Sequence, residues 1–164
     1  MKLPHFRQPA TLSLCLLVVF VFTFFGCGSP AAKEPDNFNG VKWGVEAASV
    51  SGLTQFANEG DLVFYERSQD RLQMEEVKLD QVIYGFYKGR FYMGMIYFQA
   101  SGFNRVEEIM TRQFGQPAKP DNTPSKLFWG GSDVSILLTL GEKSDQARLS
   151  YTYEPIQLEV ELKK

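Results

Sequence analysis

Histidine and cysteine are almost missing from this chain of 164 residues. The one His is His5, and the two Cys are Cys15 and Cys27. Beyond Cys27 there is no imidazole and no thiol. That removes the commonest general base and metal ligand from anything downstream. It also removes cysteine nucleophiles and zinc or copper sites built from His or Cys. No Ser-x-x-Lys, phosphate loop, Gly-x-Ser-x-Gly or calcium-loop spacing occurs. A basic excess is lacking too. The net charge of −2 offers no footprint for nucleic acid.

What is present is apolar and aromatic. Hydrophobic residues make up 44% of the chain, which suits one domain with a real core. Aromatics at 14% argue against disorder. No cofactor is implied by any motif.

The first residues explain the placement of the rare types. Met1 to Thr11 carries Lys2 and Arg7 and no acid. Leu12 to Phe25 is an apolar run broken only by Ser13 and Thr23. A basic head before a short apolar run is the layout of a secretory signal. The run is shorter than the roughly 20 residues a spanning helix needs. An uncleaved anchor is the alternative. Cys15 sits inside the run as filler.

Phe24-Phe25-Gly26-Cys27 resembles the lipobox of bacterial lipoproteins. Gly26 matches the small residue before the Cys, while Phe24 and Phe25 depart from the usual Leu and small residue. The resemblance implies a diacylglycerol on the Cys27 thiol, cleavage before it, and acylation of the new amine. Ser29-Pro30-Ala31 offers a competing cut for the ordinary signal peptidase. Chemistry favours Cys27, because a lone exported thiol is paired, reactive or capped, and thioether lipidation caps it. Several acyl chains, at ~0.8 kcal/mol per buried methylene, hold a small domain on a membrane.

Four segments follow. Residues 1–26 read as signal peptide, and 27–38 as the lipidated Cys and a flexible tether, being small, polar and proline-bearing. Residues 39–156 read as a single α+β domain, and 157–164 as an edge strand or loose tail. Removing Lys2 and Arg7 leaves 15 basic against 19 acidic side chains, a net −4, as for a solvated domain. Gly28 follows the Cys. By analogy with the sorting rule of enteric bacteria, where Asp there retains lipoproteins at the inner membrane, it leans to the periplasmic side of the outer membrane.

Within the domain, Val41 to Gly44 reads as an opening strand with Trp43 as a core anchor. Ala47 to Ala57 reads as a short helix or loop, and Leu62 to Tyr65 begins a strand. Leu72 to Leu79 is a poorer strand. Gln81 to Phe98 predicts a hairpin turning at Lys88-Gly89, where Gly accepts positive φ. A regular register opposes Phe86 to Phe91, Gly85 to Tyr92 and Tyr84 to Met93. The pleat then gives one face of Val82, Tyr84, Phe86, Phe91, Met93, Met95 and Tyr97, and a second of Ile83, Tyr87, Tyr92, Ile96 and Phe98. Both are apolar, so the hairpin is central in its sheet.

Phe103, Val106, Met110 and Phe114 share one side of a helix, with Asn104 and Glu107 as a capping box. Gly115 caps its end and Pro117 forbids continuation. Val134 to Leu140 and Leu149 to Tyr153 alternate as strands. The expected fold class is α+β, an antiparallel sheet with a central aromatic hairpin packed against one main helix.

Trp43-Gly44, Tyr84-Gly85-Phe86-Tyr87, Phe114-Gly115-Gln116-Pro117 and Trp129 together resemble uncharacterised bacterial envelope domains. Phe114-Gly115-Gln116-Pro117 and Trp129 also resemble a helix, Gly-x-Pro turn and Trp-bearing strand of small outer-membrane assembly lipoproteins. Neither resemblance implies a functional residue.

Three functions follow as expectations. The first is a membrane-anchored, non-enzymatic binding module, with envelope protein, peptide, glycan or lipid as partner. Its expected contact surface is Tyr87, Tyr92, Ile96 and Phe98 on the second hairpin face, since Tyr packs its ring while its hydroxyl stays wet; the alternative is that another layer covers them. The second is a carboxylate-dependent hydrolase of envelope glycans, drawing on Glu75, Glu76, Asp80 and Asp133. The third is an accessory subunit of an outer-membrane assembly complex. Ser132-Asp133, after two glycines, either binds an anion through backbone amides or makes a plain hairpin turn.

Overall fold

The structure is a computed structural model that describes residues 34–163 apart from 121, 122, 124 and 142–144. The signal, Cys27 and the first part of the tether lie outside the described residues.

In chain order the strands are β1 (Asn37–Phe38), β2 (Val41–Lys42), β3 (Leu53–Glu59), β4 (Leu62–Arg67), β5 (Gln73–Met74), β6 (Val77–Tyr87), β7 (Arg90–Gln99), β8 (Lys126–Gly130), β9 (Val134–Leu140) and β10 (Gln146–Tyr153). Helix α1 (Phe103–Phe114) lies between β7 and β8, and α2 (Glu154–Glu161) follows β10. The main sheet is antiparallel, ordered β3-β4-β6-β7-β10-β9-β8, with β5 pairing β6 off that path. The fold class is α+β, as the residue pattern predicts.

The β6–β7 hairpin sits at the centre. Lys88 and Gly89 have φ of 48° and 79°, the positive pair that a tight two-residue turn requires. The pairs Tyr87–Arg90 and Phe86–Phe91 hold as expected, but Gly85 then pairs Met93. Tyr92 is therefore an extra residue, a bulge that breaks the alternation. A second bulge at Asp80 lets Leu79 pair Phe98 while Gln81 pairs Tyr97. The regular register read from sequence is corrected here. Beyond Tyr92 every β7 side chain changes face.

One face carries the main core. Val82, Tyr84, Phe86, Phe91, Ile96 and Phe98 join Leu149, Tyr151, Ile136, Leu138 and Trp129 there. Phe103, Val106 and Met110 of α1 pack onto it, as do Phe38 and Val41. Phe38 belongs to β1, so ordered structure begins inside the stretch expected as tether. Trp43 packs against this core, its ring stacked on Phe91 at 4.9 Å and on Tyr153 at 6.0 Å.

Helix α1 ends as expected. Gly115 has φ of 81° and its N–H donates to the Thr111 carbonyl at 2.9 Å. Its start is different. The N-cap is Gly102 and no side chain caps it, so the Asn104–Glu107 capping box does not form. A 3-10 turn at Ala100–Gly102 leads into the helix instead. The stretch 47–57 divides into a 3-10 turn, Ala47–Ser49, and strand β3.

The C-terminal tail is neither edge strand nor loose end. It is α2, with Pro at the N-terminal turn, where a missing N–H costs nothing. Ile156 and Val160, four residues apart, form a second small core with Tyr87 and Tyr92. Leu158 and Leu162, which suggested alternation, are exposed.

Candidate functional site

The expected aromatic platform is not exposed. Tyr87, Tyr92, Ile96 and Phe98 retain 3%, 2%, 3% and 0% of their accessible surface. The Tyr92 bulge splits the set. Ile96 and Phe98 enter the main core, while Tyr87 and Tyr92 lie under α2. Burial raises the Tyr92 phenol above its ordinary value. These four residues are packing.

Of the acids named from sequence, Glu75 and Glu76 meet on Arg105, while Asp80 and Asp133 have other surroundings. Glu75 and Glu76 sit at the β5–β6 turn. Glu75 pairs Arg105 at 3.0 Å and Arg112 at 2.5 Å, and Glu76 pairs Arg105. These contacts tie the turn to α1. Asp80 accepts from Gln99 Nε2 at 2.9 Å. Asp133 belongs to the β8–β9 turn, near the far edge of the sheet.

Asp80 does line a cavity of about 360 Å³ with Glu66, Arg67 and Asp70. Sequence reasoning missed the last three. Asp70 accepts the Tyr84 hydroxyl on both oxygens, at 2.8 and 2.7 Å. Arg67 stands 3.9 Å away. Burial pushes the Asp70 carboxyl up from its ordinary value, outweighing Tyr84 and Arg67, which pull it down. Glu66 accepts from Gln81 Nε2 at 2.6 Å. Each carboxylate already holds a donor. The wall braces β4 against β6, with Glu66, Asp70 and Asp80 each accepting from a neighbouring side chain.

A different site forms where the N-terminal segment meets the β8–β9 turn. Gly130-Gly131-Ser132-Asp133 closes this hairpin, and the Gly131 N–H donates to the Val134 carbonyl at 3.0 Å. The turn directs successive N–H groups to one side, a concavity that suits an anion. The Glu34 carboxylate fills it. One oxygen accepts from the Ser132 N–H and, at 2.9 Å, from the Ser132 hydroxyl. The other accepts from the N–H groups of Asp133 at 2.9 Å and Val134 at 3.2 Å. These donors, Asp133 and Ser132 foremost, hold the Glu34 carboxyl below its ordinary range. Of the two expected readings of Ser132-Asp133, both apply. It is a hairpin turn, and it binds an anion.

Two tryptophans position the site. The Trp43 indole donates to the Pro35 carbonyl at 2.8 Å, fixing the residue after Glu34. The Trp129 indole donates to the Gly115 carbonyl at 2.8 Å, tying the end of α1 to β8. Between these ties lies a cavity of about 250 Å³. Its apolar lining is Phe114, Trp129, Val134 and Ile136, and Glu34, Pro35 and the two glycines line it too. The paired glycines were the signal for this turn. Nothing in sequence pointed to Glu34, which is 98 residues from Ser132.

Among the described residues no group of three His, Cys, Asp or Glu side chains could hold a metal ion, and no helix is long and apolar enough to cross a membrane. No family model matches the chain, and neither does a curated protein or a solved structure.

Proposed function

We propose that this chain is a lipid-anchored envelope protein that acts by binding, with the β8–β9 turn as its contact site. One observation carries the binding half of the reading. Three backbone N–H groups and a hydroxyl converge on a carboxylate beside an apolar cavity. Fixed neutral donors next to an apolar wall recognise a ligand and orient it.

The anchoring half rests on Cys27 and the signal before it. Glu34 follows Cys27 by seven residues. At about 3.5 Å per extended residue, a lipid on Cys27 would keep the turn within about 25 Å of the bilayer. Site and anchor then share one end of the domain.

The test is metabolic labelling with a palmitate analogue in cells making the wild type or Cys27→Ser. Label on the wild type alone is the expected result. Absence of label from both overturns the anchor.

A further inference from the structure

We infer that the β8–β9 cradle is a receptor for the C-terminal carboxylate of an extended peptide with an apolar last side chain, and that Glu34 is its built-in competitor. This deepens the proposed binding function and rests on the turn being its contact site.

The shape of the cradle selects a carboxylate. Each Glu34 oxygen receives two donors, one pair from Ser132 and the other from Asp133 and Val134. That is a planar, two-oxygen match. The donors are backbone groups and a hydroxyl, so recognition depends on geometry and not on a basic patch.

Gly131 argues that the space is for an anion. Its φ lies outside the left-handed region that would demand glycine. Yet a Cβ there would overlap the Glu34 carboxyl carbon. The missing side chain makes room for the ligand rather than serving the turn.

The neighbouring surfaces fit the rest of a peptide end. The apolar cavity of about 250 Å³ adjoins the cradle and is walled by Phe114, Trp129, Val134 and Ile136. A Leu-sized side chain on the last residue would enter it. β8 is the last strand of the sheet. The Phe128 N–H and C=O face away from β9 and bond Ala118 at 2.9 and 2.8 Å. Outward groups recur every second residue in an antiparallel pair, so Gly130 presents its own to the same edge. Ala118 already fills the edge at Phe128, so a peptide end would meet the outward groups of Gly130 alone before its carboxylate reached the cradle, a short form of the capture of peptide ends on sheet edges.

Glu34 stands in for that carboxylate from within the chain. An internal competitor scales apparent affinity down to the fraction of time it leaves the site empty. A ligand that displaces it would also release residue 34, seven residues after Cys27. Occupancy of the cradle and the reach of the anchor are thereby coupled.

The experiment uses the full chain in detergent and N-acetylated hexapeptides ending in Leu. One peptide has a free C-terminal carboxylate, one is amidated, and one ends in Gly. Binding is read by calorimetry and by tryptophan fluorescence, to which Trp129 and Trp43 both contribute. Glu34→Gln should tighten the free-carboxylate Leu peptide by roughly tenfold or more, since a charge-assisted competitor is removed. Amidation should abolish binding, and Gly in place of Leu should weaken it. Gly131→Ala, placed in the Glu34→Gln background, should abolish binding with the thermal midpoint unchanged. If Gly131→Ala impairs folding, the amidated peptide still decides. Equal binding of free and amidated peptides, or no binding by Glu34→Gln, overturns the inference. So does competition by inorganic phosphate as effective as by the peptide. These measurements do not depend on Cys27 carrying lipid, so failure of the anchor and failure of the receptor are read separately.

Discussion

The Phe38 ring lies over the bare backbone of Gly94. A Cβ on Gly94 would stand 2.6 Å from two atoms of that ring. The ring also meets Tyr84 edge-on at 5.3 Å and Tyr151 at 5.3 Å. The N-terminal ribbon is thus keyed into the central hairpin through one missing side chain.

Gly94→Ala is expected to destabilise the fold by about 1–3 kcal/mol through overpacking. Phe38→Ala should cost about 3–5 kcal/mol by leaving a cavity. The double variant should lose less than the sum, because the methyl no longer meets a ring. Urea unfolding of all three checks the coupling, and simple additivity would refute the contact.

Glu34 makes the N-terminal segment pH-sensitive. Its carboxyl is held below the ordinary range by the turn's donors. The contact therefore contributes fully above the unfolded pKa and is lost as pH falls through the folded value. Trp129 lines the adjoining cavity, so its fluorescence should change on acidification below the ordinary carboxylate range. Glu34→Gln should flatten that change.

Asp70 titrates in the opposite sense. Burial raises its pKa above the ordinary 3.8, so the folded state binds the proton more tightly than the unfolded chain. Stability is lost as pH rises from the unfolded pKa through the folded one. Asp70→Asn should lack that loss. Thermal midpoints of the two proteins, compared across pH 3 to 7, should diverge in favour of the variant toward the upper end.

The second small core offers a simple substitution. Among the described residues the buried Tyr87 hydroxyl has no hydrogen-bond partner. Tyr87→Phe should raise stability by about 1 kcal/mol, since an unmet polar group is removed. Ile156→Ala should cost about 2–5 kcal/mol. It should also return the Tyr92 phenol toward its ordinary value, because burial is the main cause of its rise. Ultraviolet titration of tyrosine would show this.

Local chemistry made part of the fold legible. Lys88-Gly89 can only turn, because glycine accepts the positive φ the hairpin needs. Phe103 to Phe114 carries its apolar residues on one helical side, and Gly115 with Pro117 ends it. Val134 to Leu140 and Leu149 to Tyr153 alternate because one side of each faces the core. Each signal lies within a few residues of what it specifies. The tail carries two such signals. Glu154-Pro155 is a helix start, and Ile156 with Val160 keeps helical spacing beside the alternation of Leu158, Val160 and Leu162. The tail alone satisfies both periods. Burial against Tyr87 and Tyr92 selects the helix.

From its residues alone this protein is an α+β chain with a central aromatic hairpin and one firm helix, and histidine and cysteine are excluded from its domain. Tertiary structure decided where the hairpin's side chains go and what the β8–β9 turn holds. A bulge at Tyr92 costs little locally, and its place is set by partners on β6 and α2. Glu34 and Ser132 are 98 residues apart, and the folded sheet is what places them together. Alternation and turn preference act over a few residues, whereas both of these outcomes come from contacts between distant parts of the chain.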